Sequence, residues 1–185
     1  MILFIHGFRS CGIGNKSLAL IDFFGLENVF APDLPSKPKH AIEKLENIIK
    51  SNSIDLLVGS SLGGYYSTWL NKNKVLPTVL INPAVEISDS LKELKGAHAD
   101  CYGLNFTLTD EDIYYLKSIE RKSLRKEERY LVLLQTGDEI LNYKKAAEFF
   151  KKYDVVIENG GNHRFENFER HCLKIKKWLE SKDCS

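Results

Sequence analysis

One serine stands in a setting that could activate it as a nucleophile. The residues at positions 59–63 form the pattern G-x-S-x-G around Ser61. The apolar run 54–59 predicts a buried strand, and residues 62–70 can continue as a helix. A sharp turn between them would hold the serine backbone at positive φ, and glycines on either side would let strand and helix pass closely. Ser61 is therefore the predicted nucleophile, and Ser60, whose neighbours at the same spacing are apolar, does not fit this role.

A serine hydroxyl is a weak nucleophile and needs a base, together with an acid that orients the base. Asp138 follows the strand-like run 130–135, and His163 follows the strand-like run 154–157. The carboxyl ends of parallel strands lie at one edge of a sheet, so both side chains are expected near the serine. The chain order serine, aspartate, histidine is the order found in α/β-hydrolases. These residues predict a catalytic triad for acyl transfer.

Two adjacent carboxylates, Asp138 and Glu139, compete for the role of the orienting acid. Successive residues that leave a strand point in different directions, so one of them faces the histidine. Asp138 is favoured because it follows Gly137 in a tight turn and has fewer rotamers to restrict. Glu139 is expected to brace the loop or to face solvent.

The same chemistry needs N–H donors for a developing oxyanion. The first donor predicted is the backbone N–H of Leu62, which directly follows the nucleophile. The second is the N–H of Phe8, because His6-Gly7-Phe8 follows an early strand-like run as the oxyanion loop of such enzymes does. His6 is interpreted as a residue that braces this loop.

The elements that must position these residues alternate between strands and helices. Strand candidates lie near residues 2–6, 28–31, 55–59, 77–81, 130–135 and 154–157. Helical spacing of apolar residues separates them, and a last buried stripe is formed by Phe165, Phe168, Cys172, Ile175 and Leu179. The pattern predicts an α/β fold with a six-stranded, mainly parallel sheet and helices on both faces. The first two strands of the full α/β-hydrolase fold are expected to be absent.

The middle segment, residues 84–128, is less regular. It has helical candidates around residues 87–94 and 110–124. One interpretation is a small cap that roofs the site and lines an acyl pocket, with Tyr102, Tyr114 and Tyr115 as candidates for its wall. A pair of surface helices is equally compatible with the composition.

Length and charge limit the class of protein. A chain of 185 residues with 43% hydrophobic residues predicts one domain, residues 1–185. The 26 basic and 25 acidic residues leave a net charge of +1, which gives no electrostatic case for binding nucleic acid. The start MILFIHGF has no basic region of a signal peptide, and no apolar run approaches the ~20 residues of a membrane span.

Four scattered cysteines form no C-x-x-C pair: Cys11, Cys101, Cys172 and Cys184. They are interpreted as reduced thiols of a cytoplasmic protein, and not as a disulfide framework or a zinc site.

Several blocks of the sequence resemble a known family. HGF, GSSLGGYYSTWL, INPAV, LLQTGDE and GGNHRFENFE are similar, in this order from about residue 3 to 170, to the small YqiA-type esterases. The resemblance implies a compact serine esterase that acts on acyl esters or thioesters, with Ser61 as nucleophile, Asp138 as acid and His163 as base. Arg9 stands where an asparagine is usual after HGF, and Asn142 replaces an aspartate.

The predicted reaction is acyl transfer to water through an acyl-enzyme, which needs no metal and no organic cofactor. Its partner would be a small-molecule ester or thioester. Two alternatives remain open at this point. The chain could be a binding or scaffold protein that keeps the fold without turnover, or an amidase or peptidase that uses the same triad.

Overall fold

The main sheet contains six strands, and all of its neighbouring strands run parallel. A computed structural model describes residues 1–87 and 94–181. The strands of the main sheet are β1 (Ile2–Ile5), β2 (Val29–Phe30), β3 (Leu56–Ser60), β4 (Thr78–Ile81), β7 (Tyr130–Gln135) and β8 (Asp154–Glu158). Their order in the sheet is β2-β1-β3-β4-β7-β8.

Helices cover both faces of this sheet. Alternate strand residues point to opposite faces, so Leu3 and Ile5 pack into one apolar cluster while Ile2 and Phe4 pack into another. The helices are α1 (Asn15–Phe24), α2 (Pro38–Ser51), α3 (Leu62–Lys74), α4 (Asp110–Ser118), α5 (Tyr143–Phe149) and α6 (Cys172–Glu180). The first cluster includes residues of α2, α3 and α4, and the second includes residues of α1 and α6.

Helix α2 shows how the apolar pattern becomes packing. Its first residue is Pro38, whose fixed φ suits a helix start and whose missing N–H leaves no bond unmade. Ala41, Ile42, Leu45 and Ile49 recur at intervals of three and four and are all buried. Each larger side chain contributes about 1.5–3 kcal/mol by leaving water. The predicted six-stranded parallel fold with helices on both faces is confirmed.

The middle segment contains a hairpin that the sequence analysis did not predict. Strands β5 (Gly96–Ala99) and β6 (Asn105–Leu108) pair antiparallel as a separate two-stranded sheet. Helix α4 follows it and is shorter than the predicted helix at 110–124. The predicted helix around residues 87–94 falls mostly on residues 88–93, which lie outside the described residues.

The prediction that all four cysteines are reduced was wrong. Cys11 and Cys101 form a disulfide, with their Cα atoms 5.7 Å apart although 90 residues separate them in sequence. The physical reason is tertiary: the loop after β1 meets the turn of the β5–β6 hairpin. Cys172 is a buried free thiol, and Cys184 lies outside the described residues. Cysteine usage therefore no longer supports a reducing compartment.

The predicted C-terminal helix begins later than expected. Phe165 has a positive φ of 60° and lies in a turn, so it is not on the helix. A 3₁₀ segment, Phe168–His171, then leads into α6. Phe165 is nevertheless buried against the same cluster as Phe168 and Ile175, because the turn folds it back onto the sheet. Within the described parts of the chain, no helix is long and apolar enough to cross a membrane.

Candidate active site

Ser61 occupies a sharp turn between the central strand β3 and helix α3. The strand ends at Ser60 and the helix begins at Leu62, and Ser61 has φ 54° and ψ −121°. A Cβ added at Gly63 would overlap the carbonyl oxygen of Ile5 on the neighbouring strand. The start of α3 thus passes close to the sheet, as the glycine pattern predicts. This turn leaves the hydroxyl of Ser61 at the C-terminal edge of the sheet.

His163 lies between Ser61 and Asp138. The Nε2 atom of His163 is 3.0 Å from Ser61 Oγ, and its Nδ1 atom is 2.9 Å from each carboxylate oxygen of Asp138. A carboxylate can only accept, so Nδ1 carries the proton and donates it. Nε2 is then left as an acceptor for the serine hydroxyl. The three residues, which are 25 and 102 positions apart, form one hydrogen-bonded row.

The carboxylate of Asp138 is fixed from two sides. Its Oδ1 atom accepts from the backbone N–H groups of Ile140 and Leu141 at 2.9 and 2.8 Å. The side chain is only 1% exposed. These contacts hold the carboxylate in a turn directly after β7, so its direction does not depend on the histidine alone.

Glu139 faces the histidine loop through the backbone. Its Oε2 atom accepts the backbone N–H of His163 at 2.9 Å, and this bond lowers the pKa of Glu139. Asp138 therefore contacts the ring of His163, and Glu139 contacts the backbone of the same histidine. Glu139 has the loop-bracing position that the sequence analysis expected.

Two residues that the sequence analysis did not select hold the histidine loop. Asn82, buried directly after β4, donates through Nδ2 to the carbonyl oxygens of Asn162 and His163 at 3.0 and 3.3 Å. Gln135, the last residue of β7, accepts through Oε1 from the N–H groups of Asn162 and Glu166. The available signal was an amide side chain at the end of an apolar strand, where a buried polar group needs a partner.

Two backbone N–H groups at the site are the predicted oxyanion donors. Within the part of the chain that the structure describes, neither Phe8 nor Leu62 donates its backbone N–H to another group. Both residues line the same cleft as Ser61. The N–H of Leu62 is at the N-terminus of α3, where the helix dipole favours negative charge.

The loop that carries Phe8 is anchored on both sides. The neutral His6 ring accepts the N–H of Leu34 through Nε2 at 3.0 Å and contacts the Gly7 carbonyl through Nδ1 at 2.9 Å. Burial lowers the pKa of His6, which keeps this bracing ring uncharged. The Phe8 ring meets the rings of His98 and Phe106 edge-on, with centroids 4.9 and 5.9 Å away.

A cleft of about 520 Å³ opens above the serine. None of the tyrosines predicted for its wall lines it. Tyr102 instead donates to Asp33, Tyr114 is 75% exposed, and Tyr115 packs against the core. The middle segment contributes smaller apolar side chains. Among the described residues, the apolar lining is formed by Phe8, Leu62, Ala84, Ile87, Leu94, Ile140 and Leu141.

The described residues contain no group of three or more histidine, cysteine or carboxylate side chains arranged to hold a metal ion.

Comparison with known sequences gives a match over nearly the whole chain. The model of an uncharacterised protein family, UPF0227, matches residues 1–180. A UPF0227 protein of Vibrio vulnificus is 26% identical over 189 residues, which cover 98% of this chain and 99% of the relative. A UPF0227 protein of Vibrio parahaemolyticus is 27% identical, with 96% and 98% covered. The resemblance to YqiA-type proteins is thereby confirmed.

Solved structures with the same fold are α/β-hydrolases. Est1E from Butyrivibrio proteoclasticus, solved with ferulic acid bound, aligns with a TM-score of 0.75 at 12% identity, covering 100% of this chain and 89% of that one. A monoacylglycerol lipase from Paleococcus ferrophilus aligns with a TM-score of 0.73 at 16% identity, covering 97% and 93%. At such low identity these likenesses establish the fold, and the chain has the α/β-hydrolase fold.

Proposed function

We propose that this chain, which belongs to the UPF0227 family, is a serine esterase that hydrolyses acyl esters or acyl-thioesters through an acyl-enzyme. The observation that carries the proposal is the hydrogen-bonded row from Ser61 Oγ through His163 to Asp138, with distances of 3.0 and 2.9 Å. The strained turn at Ser61 and the open cleft above it support the same conclusion, because a nucleophile must be both fixed and accessible.

In the first half of the reaction, Ser61 Oγ attacks the carbonyl carbon and His163 Nε2 takes the serine proton. Asp138 keeps the proton of Nδ1 in place, so that Nε2 is the basic nitrogen, and it stabilises the imidazolium that forms. The N–H groups of Phe8 and Leu62 bind the oxyanion. His163 then protonates the departing alcohol or thiol.

In the second half, water replaces the leaving group. His163 Nε2 removes a proton from this water as it attacks the acyl carbonyl, and the same two N–H groups bind the second oxyanion. Collapse of the intermediate releases the acid and returns the proton from His163 to Ser61. His163 makes all proton transfers in both halves, and Asp138 orients its ring without becoming protonated.

The proposal extends to the organisation of the chain. Residues 1–185 would form one hydrolase domain, and residues 84–128 would act as a small cap segment at the site. Ala84, Ile87 and Leu94 support this, since all three line the cleft that contains Ser61. Their substitution by larger apolar residues should shorten the preferred acyl chain.

The proposed function is tested by a hydrolysis screen with acyl esters and acyl-thioesters of graded length. Ser61→Ala is the control, and Ser60→Ala is a matched variant that removes the adjacent hydroxyl. Hydrolysis that is lost in the first variant and retained in the second supports the proposal. An intact chain without activity towards any ester or thioester would favour a binding protein, and faster hydrolysis of matched amides would favour an amidase or peptidase.

A further inference from the structure

The charge around the cleft is uneven. Three cationic residues, Arg9, Lys16 and Arg164, line it together with Ser61 and His163, and no carboxylate residue is among the described residues of its lining. The whole chain has 26 basic and 25 acidic residues, so a general excess of positive charge does not account for this. The imbalance is local to the site.

None of these three cations is neutralised by a carboxylate among the described residues. Lys16 donates through Nζ to the carbonyl oxygen of Arg164 at 2.7 Å, and Arg9 donates through Nε to the carbonyl oxygen of Ala99 at 3.0 Å. Both acceptors are neutral. These contacts hold Lys16 and Arg9 in position at the cleft, and they leave both charges without a counter-ion in the described chain.

The carboxylates closest in sequence to the site have other partners. Asp138 binds the His163 ring, Glu139 accepts the backbone N–H of His163, and Glu166 accepts from Asn162 Nδ2 at 2.7 Å. Each is therefore engaged in holding the histidine loop.

Lys16 is the most enclosed of the three cations. Burial, and secondarily the charge of Arg164, lowers the pKa of Lys16 to about 8. A half-buried ammonium group that lacks an opposite charge is costly, and an anion bound beside it would offset that cost. At neutral pH the group is still mainly protonated and able to pair with an anion.

Most of the apolar residues of the lining come from other parts of the chain than the cations do. Ala84 and Ile87 follow β4, and Ile140 and Leu141 follow β7, whereas the cations follow β1 and β8 or begin α1. The cleft thus combines an apolar set that suits a hydrocarbon group with a basic set that suits an anion.

We propose that Arg9, Lys16 and Arg164 form a binding site for an anionic substituent, a carboxylate or a phosphate, on the substrate of this hydrolase. The inference rests on the proposed function and adds a substrate class to it. The enzyme should then prefer an ester or thioester that carries an anion over its neutral counterpart.

The test uses pairs of esters in which one member carries an anion and the other has a neutral group at the same position. On the acyl side, mono-para-nitrophenyl glutarate, whose second carboxyl group is free, is compared with para-nitrophenyl methyl glutarate, whose second carboxyl group is a methyl ester. On the alcohol side, the scissile bond is a butyrate ester of a phenol. The butyrate ester of meta-hydroxyphenylacetic acid is compared with the butyrate ester of methyl meta-hydroxyphenylacetate. A third pair compares the butyrate ester of meta-hydroxybenzyl phosphate with the butyrate ester of meta-hydroxybenzyl methyl ether. The pairs separate carboxylate from phosphate and acyl side from alcohol side.

We expect KM to be at least about tenfold lower for the anionic member of one pair or more, as for hydrogen bonds to a charged group. Lys16→Met should remove most of this difference. Arg164→Gln is a second variant that keeps the backbone carbonyl on which Lys16 rests, and Arg9→Asn suits the positive φ of 59° at that position. Lys176→Met, on an exposed part of α6, is the matched control and should leave the ratio unchanged.

The readout is the ratio of KM values within a pair, because loss of the Lys16 contact to the histidine loop would alter kcat for both members alike. Equal KM values in all three pairs would overturn the inference, as would a preference that survives in every one of the three variants.

Binding of the same ligands to the Ser61→Ala variant, measured by calorimetry, separates this inference from the proposed function. If the chain hydrolyses neutral esters and shows no preference for anionic ones, the proposed esterase function is supported and the proposed anion-binding site is refuted. If the anionic members bind in a way that depends on Lys16 but the native chain hydrolyses none of the esters, the anion-binding site is supported and the proposed esterase function is refuted.

Discussion

Replacing Asp138 by asparagine changes one atom in the hydrogen-bonded row that joins it to His163 and Ser61. The Oδ1 atom accepts from the N–H groups of Ile140 and Leu141 at 2.9 and 2.8 Å, and an asparagine oxygen can keep both bonds. The amide nitrogen then lies where Oδ2 was, 2.9 Å from His163 Nδ1. An amide nitrogen donates, and Oδ1 already accepts two backbone N–H groups, so we expect Nδ1 to become the acceptor and the ring proton to move to Nε2.

With its proton on Nε2, the histidine cannot take the proton of Ser61. The comparable change in a serine protease lowers kcat by roughly 10⁴-fold, or about 5.5 kcal/mol of activation free energy. We expect a loss of the same order for Asp138→Asn, with an unchanged fold, because the buried loop bonds survive. The assay is kcat for a neutral acyl ester, with circular dichroism and thermal unfolding as checks on the fold.

Glu139→Gln is the matched control for this prediction. A glutamine oxygen can still accept the backbone N–H of His163, which Glu139 accepts at 2.9 Å, so activity should stay within about tenfold. The reasoning is refuted if Asp138→Asn keeps activity within tenfold, or if Glu139→Gln loses more than Asp138→Asn does.

Three further predictions concern the nucleophile, the oxyanion and the disulfide. Ser61→Ala should lower kcat by up to ~10⁶-fold with the fold intact, whereas Ser60→Ala should retain activity; steady-state hydrolysis measures both, and the reverse order would reassign the nucleophile. Phe8→Leu keeps the backbone N–H and should retain most activity, while Phe8→Pro removes this donor and should lose at least ~10²-fold in kcat; equal losses would implicate the side chain. Cys101→Ser should lower the free energy of unfolding by up to about 4–5 kcal/mol, because the disulfide to Cys11 closes a loop spanning 90 residues. Urea unfolding of this variant and of the native chain with a reducing dithiol should give the same shift, and no shift in either would contradict the bond.

The sheet and the site row were predictable because their signals are local. Each sheet strand is a short, largely apolar run, and Ser61, Asp138 and His163 directly follow such runs or lie in the loops after them. Topology then brings the ends of parallel strands together, so chain order was sufficient to predict which residues meet.

The features that were missed depend on contacts between distant segments. The strand β5 reads GAHA and lacks β-branched residues, so only its pairing with β6 reveals it. Cys11 and Cys101 carry no spacing signal, because their proximity follows from where the hairpin docks. Asn82 and Gln135 ended apolar runs and looked like simple strand ends, although their amides hold the histidine loop.

The most direct test of the proposed chemistry is to identify the atom that reacts. A fluorophosphonate probe should label the native chain once, and peptide mapping by mass spectrometry should place the label on Ser61. The label should be absent from Ser61→Ala and should form far more slowly in Asp138→Asn, since the same base activates the serine for the probe and for an ester. A label on Ser60, or full labelling of the Ser61→Ala variant, would contradict the proposed mechanism.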